Sequence, residues 1–301
     1  MKSAAANIQA VQHIRRMRGG TQPHLMRASD GNYYIVKFQN NPQYLRVLAN
    51  EFLATRLAAL LSLPVPEVEI IEVSDSLIES SPGLQFEIGG ISVRCAAGLH
   101  VGVRHVADPW NDCVFDYLPE STFDKVMNRQ AFAGILAFDK WTGNTDGRQA
   151  VFTKHGRGYH VTFIDQGYCF NAAEWNFPDL PLHGAYYKGH VYEDIAGWDS
   201  FEPVLSRIEA MEYADLWRCA APIPLDWFEH DGEGLFQLIE ALHERRSSVR
   251  TFITAFRDSS RNPFPRWTAV HGAVPQGRRS IKEEEAAPEL ALGGVGEIGK
   301  S

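Results

Sequence analysis

The sequence predicts an α+β fold in two lobes, a strand-rich first part and a helical second part with a cleft between them. Three observations support this. Near the start, Ser29-Asp30-Gly31-Asn32 separates the apolar runs 25–28 and 33–38, the Asp-Gly signal of a hairpin. Toward the end, Leu235, Leu238, Ile239, Leu242, Val249, Phe252, Ile253 and Phe256 recur at helical spacing and read as core contacts. Between them, a long apolar stretch leads into the polar loop Gly143-Asn144-Thr145-Asp146-Gly147-Arg148-Gln149. An apolar strand follows, and it ends in the acidic turn Asp165-Gln166-Gly167.

The elements follow in order. Residues 7–38 are rich in strand signals, and in the second strand of the hairpin Tyr33, Ile35 and Lys37 share one face, which turns Lys37 toward residues that would roof a pocket. From Arg46 to Leu61 the pattern is helical, and Ser62-Leu63-Pro64-Val65-Pro66 ends it because proline cannot continue a helix. Residues 67–73 read as a strand. Residues 77–118 alternate short apolar runs with Gly and Pro and read as further strands of the same sheet, with Val114-Phe115-Asp116-Tyr117-Leu118 as its last strand before a linker. After Thr122 the chain reads as helical over 123–142, 201–218 and 233–257. From Asp258 onward Pro263, Pro265, Pro275, the charge run Lys282-Glu283-Glu284-Glu285 and a Gly-rich end predict disorder. The expected organisation is a first lobe over 1–120, a helical lobe over 121–257 and a tail over 258–301.

Composition bounds the function. With 301 residues and 45% hydrophobic content the chain can bury a large core. A formal charge of −8 argues against a general nucleic-acid binder and against a membrane-surface protein, and leaves a local basic groove open. No apolar run reaches the roughly 18 residues of a membrane span, and the first seven residues lead into no secretory apolar core, so a cytoplasmic place is expected. Cys95, Cys113, Cys169 and Cys219 are widely spaced without metal-binding motifs and read as reduced, buried thiols. The sequence has no internal repeat.

Several residues point to chemistry. Glu51 projects beside Val47, Leu48, Ala54, Thr55 and Ala58, an apolar helix face where a bare carboxylate is costly to bury, so it needs a cation. Lys37 is the candidate, although alone it is an ordinary strand lysine whose stem covers apolar surface. Asp146 and Asp165 arrive at one edge of the cleft. Phosphoryl transfer requires such a pair: one carboxylate near the attacking hydroxyl, another joined by amide oxygens to hold Mg²⁺ against phosphates. Either one also suits an Asx turn. Gly19-Gly20-Thr21-Gln22, between two strands, lets backbone N–H groups approach phosphate oxygens or simply marks a turn. Arg15, Arg16 and Arg18 beside it attract an anion or form a solvated face. Asp139, upstream of the polar loop, is expected to brace that loop.

These segments, together with Tyr34-Ile35-Val36-Lys37-Phe38 and Ala49-Asn50-Glu51-Phe52-Leu53, occur in an order that resembles the HipA-like kinases, bacterial relatives of the protein-kinase and lipid-kinase folds, across residues 10–257. The resemblance implies a protein-kinase-like fold with ATP and Mg²⁺ as cofactors. It implies that Gly19, Gly20, Thr21 and Gln22 cover the nucleotide, that Lys37 held by Glu51 grips its phosphates, and that the linker around Phe115 and Tyr117 offers backbone groups to adenine. Asp146 would orient or deprotonate the acceptor hydroxyl. Asp165, two residues before a glycine as in the Asp-Phe-Gly element of protein kinases, would bind metal. A Ser/Thr hydroxyl of a protein is the acceptor that the family implies, while such a cleft also suits a lipid or a small alcohol. An antitoxin-like protein partner is a further implication, as is the absence of the extra N-terminal subdomain of the longer HipA toxins. The chain departs from the family at Val151, where related kinases have a metal-binding asparagine five residues after the catalytic Asp, which leaves Gln149 or Asn144 to supply the amide oxygen. Thr145 stands where eukaryotic protein kinases have His or Arg. These departures keep open a pseudokinase that binds ATP without transfer, and a structural interaction domain that binds no nucleotide.

Overall fold

Alternation of apolar residues closes the first part of the chain into a small barrel. A computed structural model describes residues 8–268. Strands β1 (Ile8–Arg16), β2 (His24–Ala28) and β3 (Tyr33–Lys37) form an antiparallel meander, and the expected turn at Asp30-Gly31 joins the last two. Helix α1 (Arg46–Leu60) leads to β4 (Val68–Val73). A short helix α2 (Asp75–Ser80) and a separate hairpin, β5 (Gln85–Ile88) with β6 (Ile91–Arg94), precede β7 (Gly98–Arg104). β7 lies between β3 and β4, and β1 pairs with β4 to close the barrel in the order β1-β2-β3-β7-β4.

The two faces of β3 serve different purposes. Tyr34, Val36 and Phe38 fill the inside of the barrel with Met26, Ile71 and Phe86. Ile35 and Lys37 pair with Val103 and Val101, which face outward onto the large core around α1. That core-facing helix is apolar on nearly all sides, as burial between a sheet and other helices requires. It ends at Ser62, which adopts the left-handed conformation (φ 61°) while Leu63 N–H bonds to Ala58 O.

The second part is built around α4 (Ala131–Thr142), preceded by a short α3 (Glu120–Phe123). Its sheet holds β8 (Val114–Phe115), β9 (Gln149–His155) and β10 (Gly158–Ile164) in the order β10-β9-β8. Helices α5 (Val204–Glu209), α6 (Tyr213–Ala220), α7 (Gly232–Arg245) and α8 (Val249–Arg257) complete it. No helix of the described residues is long and apolar enough to cross a membrane.

Four expectations need correction. Residues 77–118 do not all join one sheet: β5 and β6 stand apart, and β8 pairs with β9 rather than with the barrel. The helix expected over 123–142 breaks at 124–130, because Asn128 bonds both ways to the Val161 backbone and Met127 N–H reaches Tyr159 O. These contacts draw the segment onto the edge of β10. The tail does not lose order at Asp258, since Phe264 is 3% exposed and stacks on Trp267, itself edge-on to Trp198. The rest of the expected tail, residues 269–301, lies outside the described residues. All four cysteines are free, but Cys113 is exposed rather than buried.

Candidate active site

Lys37 ends β3 on the outward face, where its ammonium meets carboxylates from two other segments. Its Nζ donates to Glu51 Oε2 at 2.7 Å and to Asp165 Oδ1 at 2.8 Å. Lys37 and Glu51 are almost wholly buried, while Asp165 keeps part of its surface open. Glu51 also accepts the Gln166 N–H at 3.0 Å, so the helix glutamate holds both the lysine and the loop that follows β10. Burial alone would lower the Lys37 ammonium, but the carboxylates of Asp165 and Glu51 outweigh it and hold it above the usual lysine range. Burial raises the Asp165 carboxyl, and Lys37, backed by Arg148 and the Gly167 N–H, more than reverses this and keeps it below the usual carboxylate range.

The backbone at Asp165 is held in an uncommon state, with φ of 61° in a residue that has a side chain. Two neighbours enforce it. Asn50, one residue before Glu51 on α1, donates to Gly167 O and Ala172 O and accepts from Trp175 Nε1. Gly167 passes so close to α1 that an added Cβ would lie 2.4 Å from Val47 Cγ2.

The polar loop after α4 is fixed from below. Gly143 ends the helix in the left-handed conformation (φ 59°), with its N–H on Asp139 O. Asp139 and Arg148 form a bidentate pair with no exposed side-chain surface, and Arg148 continues to Ile164 O at 2.9 Å. One guanidinium thus ties the loop of Asp146 to the strand of Asp165. Asn144 Nδ2 donates to Asp139 Oδ1, and its Oδ1 accepts the Asp146 N–H. Asp146 itself is exposed at the loop tip, and Gly184 N–H bonds to its carbonyl at 3.1 Å.

Gln149, the first residue of β9, joins the two aspartates. Its Nε2 lies 3.0 Å from Asp165 Oδ2 and 3.5 Å from Asp146 Oδ2. A donor with partial positive charge therefore fills the space between the carboxylates, as a cation would. The Asp165 carboxylate and the Gln149 amide, once its oxygen is turned inward, are hard donors of the kind Mg²⁺ accepts, so the residues present fit the ion that the resemblance implies.

Other expected residues sit differently. Asn144 is buried and uses its amide oxygen on the Asp146 backbone, so it braces the loop instead of offering a metal ligand. Gln22, with φ of 46°, turns away from the cleft and clamps β5: its Nε2 donates to Glu87 O and its Oε1 accepts the Glu87 N–H. Thr21 is buried, and Gly19 (φ 133°) opens the turn closed by Gln22 N–H on Gly19 O. Gly20 is a close-approach glycine, since an added Cβ would lie 2.2 Å from Gln43 Nε2. Phe115 and Tyr117 lie outside the Lys37 cluster; Phe115 pairs with Phe152 in the second sheet and meets Tyr159 edge-on. The chain leaving the barrel is 105–113, and His105 N–H bonds to Tyr33 O. A cavity of about 560 Å³ lies there, lined by Tyr33, Val65, Arg104, His105, Val106 and Thr162 among others. Val151 is buried within β9.

Sequence reasoning missed Arg148, Asn50 and the segment 177–188 packed beside the loop. Lys140 Nζ donates to Pro181 O and His183 O, and Arg245 grips Asp179 while donating to the α4 carbonyls of Lys140 and Trp141. The available signal was a polar residue on a wholly apolar helix face: Asn50 on α1, Lys140 on α4.

Comparison with known proteins agrees with this architecture. The Helicobacter pylori proinflammatory kinase CtkA aligns with a TM-score of 0.55 at 14% identity, covering 85% of this chain and 100% of CtkA. Hydra Fam20, solved with sugar, aligns with a TM-score of 0.54 at 11% identity over 85% of this chain and 88% of the other. At such identities the likeness shows the fold alone, which is protein-kinase-like. No curated protein matches the chain. The family model of the HipA-like kinases matches residues 10–250, most of the chain, and the protein therefore belongs to the HipA-like kinase family.

Proposed function

We propose that the chain is an ATP- and Mg²⁺-dependent phosphotransferase whose acceptor is a hydroxyl on a protein. The observation that carries this reading is the convergence of Lys37, Glu51, Asp165, Gln149 and Asp146 through contacts of 2.7 to 3.5 Å. The roles follow from position. Tyr33 lines the cavity and shares the β3 face of Lys37, four residues on, or about 13 Å at strand spacing. A nucleotide with its base in that cavity thus brings its phosphates to Lys37. Lys37 neutralises the phosphates, and Glu51 keeps the ammonium aimed at them. Asp165 and Gln149 would hold Mg²⁺, which when bound offsets charge on the phosphate oxygens. Among the described residues no three His, Cys, Asp or Glu side chains gather into a metal site, so phosphate and water oxygens have to complete the shell. Asp146, exposed at the loop tip, orients the acceptor hydroxyl and takes its proton.

Val151 favours a second reading, nucleotide binding without transfer, because a buried valine supplies no oxygen where related kinases have asparagine. One set of measurements separates the readings. Mg-ATP at about 100 times its dissociation constant should stabilise the protein by roughly 2.7 kcal/mol in a thermal titration. Release of the γ-phosphate, with and without protein acceptors, then distinguishes transfer from binding. Absence of any thermal shift at millimolar Mg-ATP rejects both. Asp146→Asn should retain the shift and lose transfer, and the assignment of Asp146 is wrong if the variant keeps full turnover.

A further inference from the structure

Tyr168 has a hydroxyl that none of the proposed catalytic roles uses. It lies three residues after Asp165, and its carbonyl accepts the backbone N–H of Thr145, the residue before Asp146. The backbone of Tyr168 is thereby tied between the loop of Asp165 and the loop of Asp146. Its hydroxyl accepts a hydrogen bond from Gln43 Nε2 at 2.8 Å. That same nitrogen packs against the Cα of Gly20, at the point where any side chain on residue 20 would collide with it. The chain of contacts runs from the tip of the glycine loop, through Gln43, to a phenol beside both aspartates.

Since the hydroxyl accepts from Gln43, its own proton is left to donate, and among the described residues no oxygen receives it. Tyr168 is only partly buried, with Gly20 on the far side of Gln43 and the charges of Asp146 and Asp165 close by, so the free proton faces a region bounded by the glycine loop and the carboxylates. We propose that Tyr168 contacts the terminal phosphate of the nucleotide, donating its hydroxyl proton to a non-bridging oxygen, with Gln43 as the positioning residue that fixes the phenol. Burial and the nearby charge of Asp146, with smaller contributions from Tyr44 and Asp165, raise the phenol above its usual range, which favours the protonated, donating form. The inference rests on the nucleotide-binding reading and adds to it a means of telling ATP from ADP, which the Lys37 cluster does not provide. Lys37 and Asp165 address whatever phosphates are present. A donor at the far end addresses only the last one.

The test compares affinities for Mg-ADP and for the non-hydrolysable β,γ-imido analogue of Mg-ATP, measured by calorimetry on the full chain. Tyr168→Phe keeps the ring, and the Thr145 contact is to the backbone, so the fold should persist, as a circular dichroism melt will check. Wild-type protein should favour the triphosphate analogue. The variant should lose about tenfold in affinity for it, the lower end expected for a hydrogen bond to a charged oxygen, with Mg-ADP affinity unchanged. Gln43→Ala, which leaves the phenol in place, should show a smaller loss in the same direction, and it decides the matter if Tyr168→Phe does not fold. An unchanged ratio between the two nucleotides in both variants overturns the inference while leaving the nucleotide site intact. Equal loss of both nucleotides also overturns it, because Tyr168 would then only shape the loop. Failure of the wild-type protein to bind either nucleotide rejects the underlying reading, and this inference with it.

Discussion

Two buried charge clusters flank the cleft, and they are built differently. Arg148 and Asp139 satisfy each other completely, with both side chains closed to solvent and the remaining donors on backbone carbonyls. Lys37 is shared between buried Glu51 and an Asp165 that keeps about a third of its side chain exposed. The first cluster has no capacity left for a ligand. The second ends at an open carboxylate, so a phosphate or a cation can enter without breaking the fold. A buried charge whose partners all come from the protein holds shape, whereas one with a partner at the surface is available for exchange.

If the closed cluster holds shape, the largest loss of stability should come from Arg148→Met. It leaves Asp139 buried without its counter-charge and detaches both loops, so we expect a loss of about 3–5 kcal/mol. Urea unfolding monitored by tryptophan fluorescence will measure it. A loss below about 1 kcal/mol would mean that the pair does not brace the two loops.

Lys37→Met should cost less stability, because Glu51 retains the Gln166 N–H and Asp165 is partly solvated. It should nevertheless reduce nucleotide-dependent transfer greatly. Glu51→Gln should do the same, and the double variant should be little worse than either, since residues acting as a unit are not additive. Independent, additive effects on ATP affinity would show that Glu51 serves α1 and its loop rather than the lysine.

The gathering of residues from distant segments was legible because each is a local exception: a glutamate on an apolar helix face, a lysine on a strand face, an aspartate ending an apolar strand. The two-lobed kinase-like fold and the family follow the same order of segments. Other features had no local sign. Val114 pairs with Thr153 across a long stretch of chain, and periodicity within 77–118 cannot say which sheet a short apolar run will join. The break at Asn128 depends on the Val161 backbone. Asn144 and Gln149 are both amides near Asp146, but the first turns inward to Asp139 and the second meets Asp165, and neither partner is a sequence neighbour. Gln22 was read with the glycines beside it, but its partner is the distant Glu87.

The smallest expected effect is on pH dependence. Because the folded Asp165 carboxyl lies below its usual range, its contribution to stability is present above about pH 4 and is lost as pH falls through the folded value. The Lys37 ammonium lies above its usual range, so its share holds below about pH 10.4 and is lost as pH rises through the folded value. Asp165→Asn should therefore differ from the wild type most at neutral pH and converge with it in acid. A difference that grows toward low pH would mean that folding raises the Asp165 carboxyl instead of lowering it.

The clamps on 177–188 bear on how such a protein is controlled. In many protein kinases the segment after the metal-binding aspartate is ordered only when a phosphate is added to it and meets arginines. In this chain Lys140 and Arg245 already hold it by backbone carbonyls and by Asp179, and residues 166–192 contain no serine or threonine. The fold itself thus holds the segment in place, through side chains of α4 and α7.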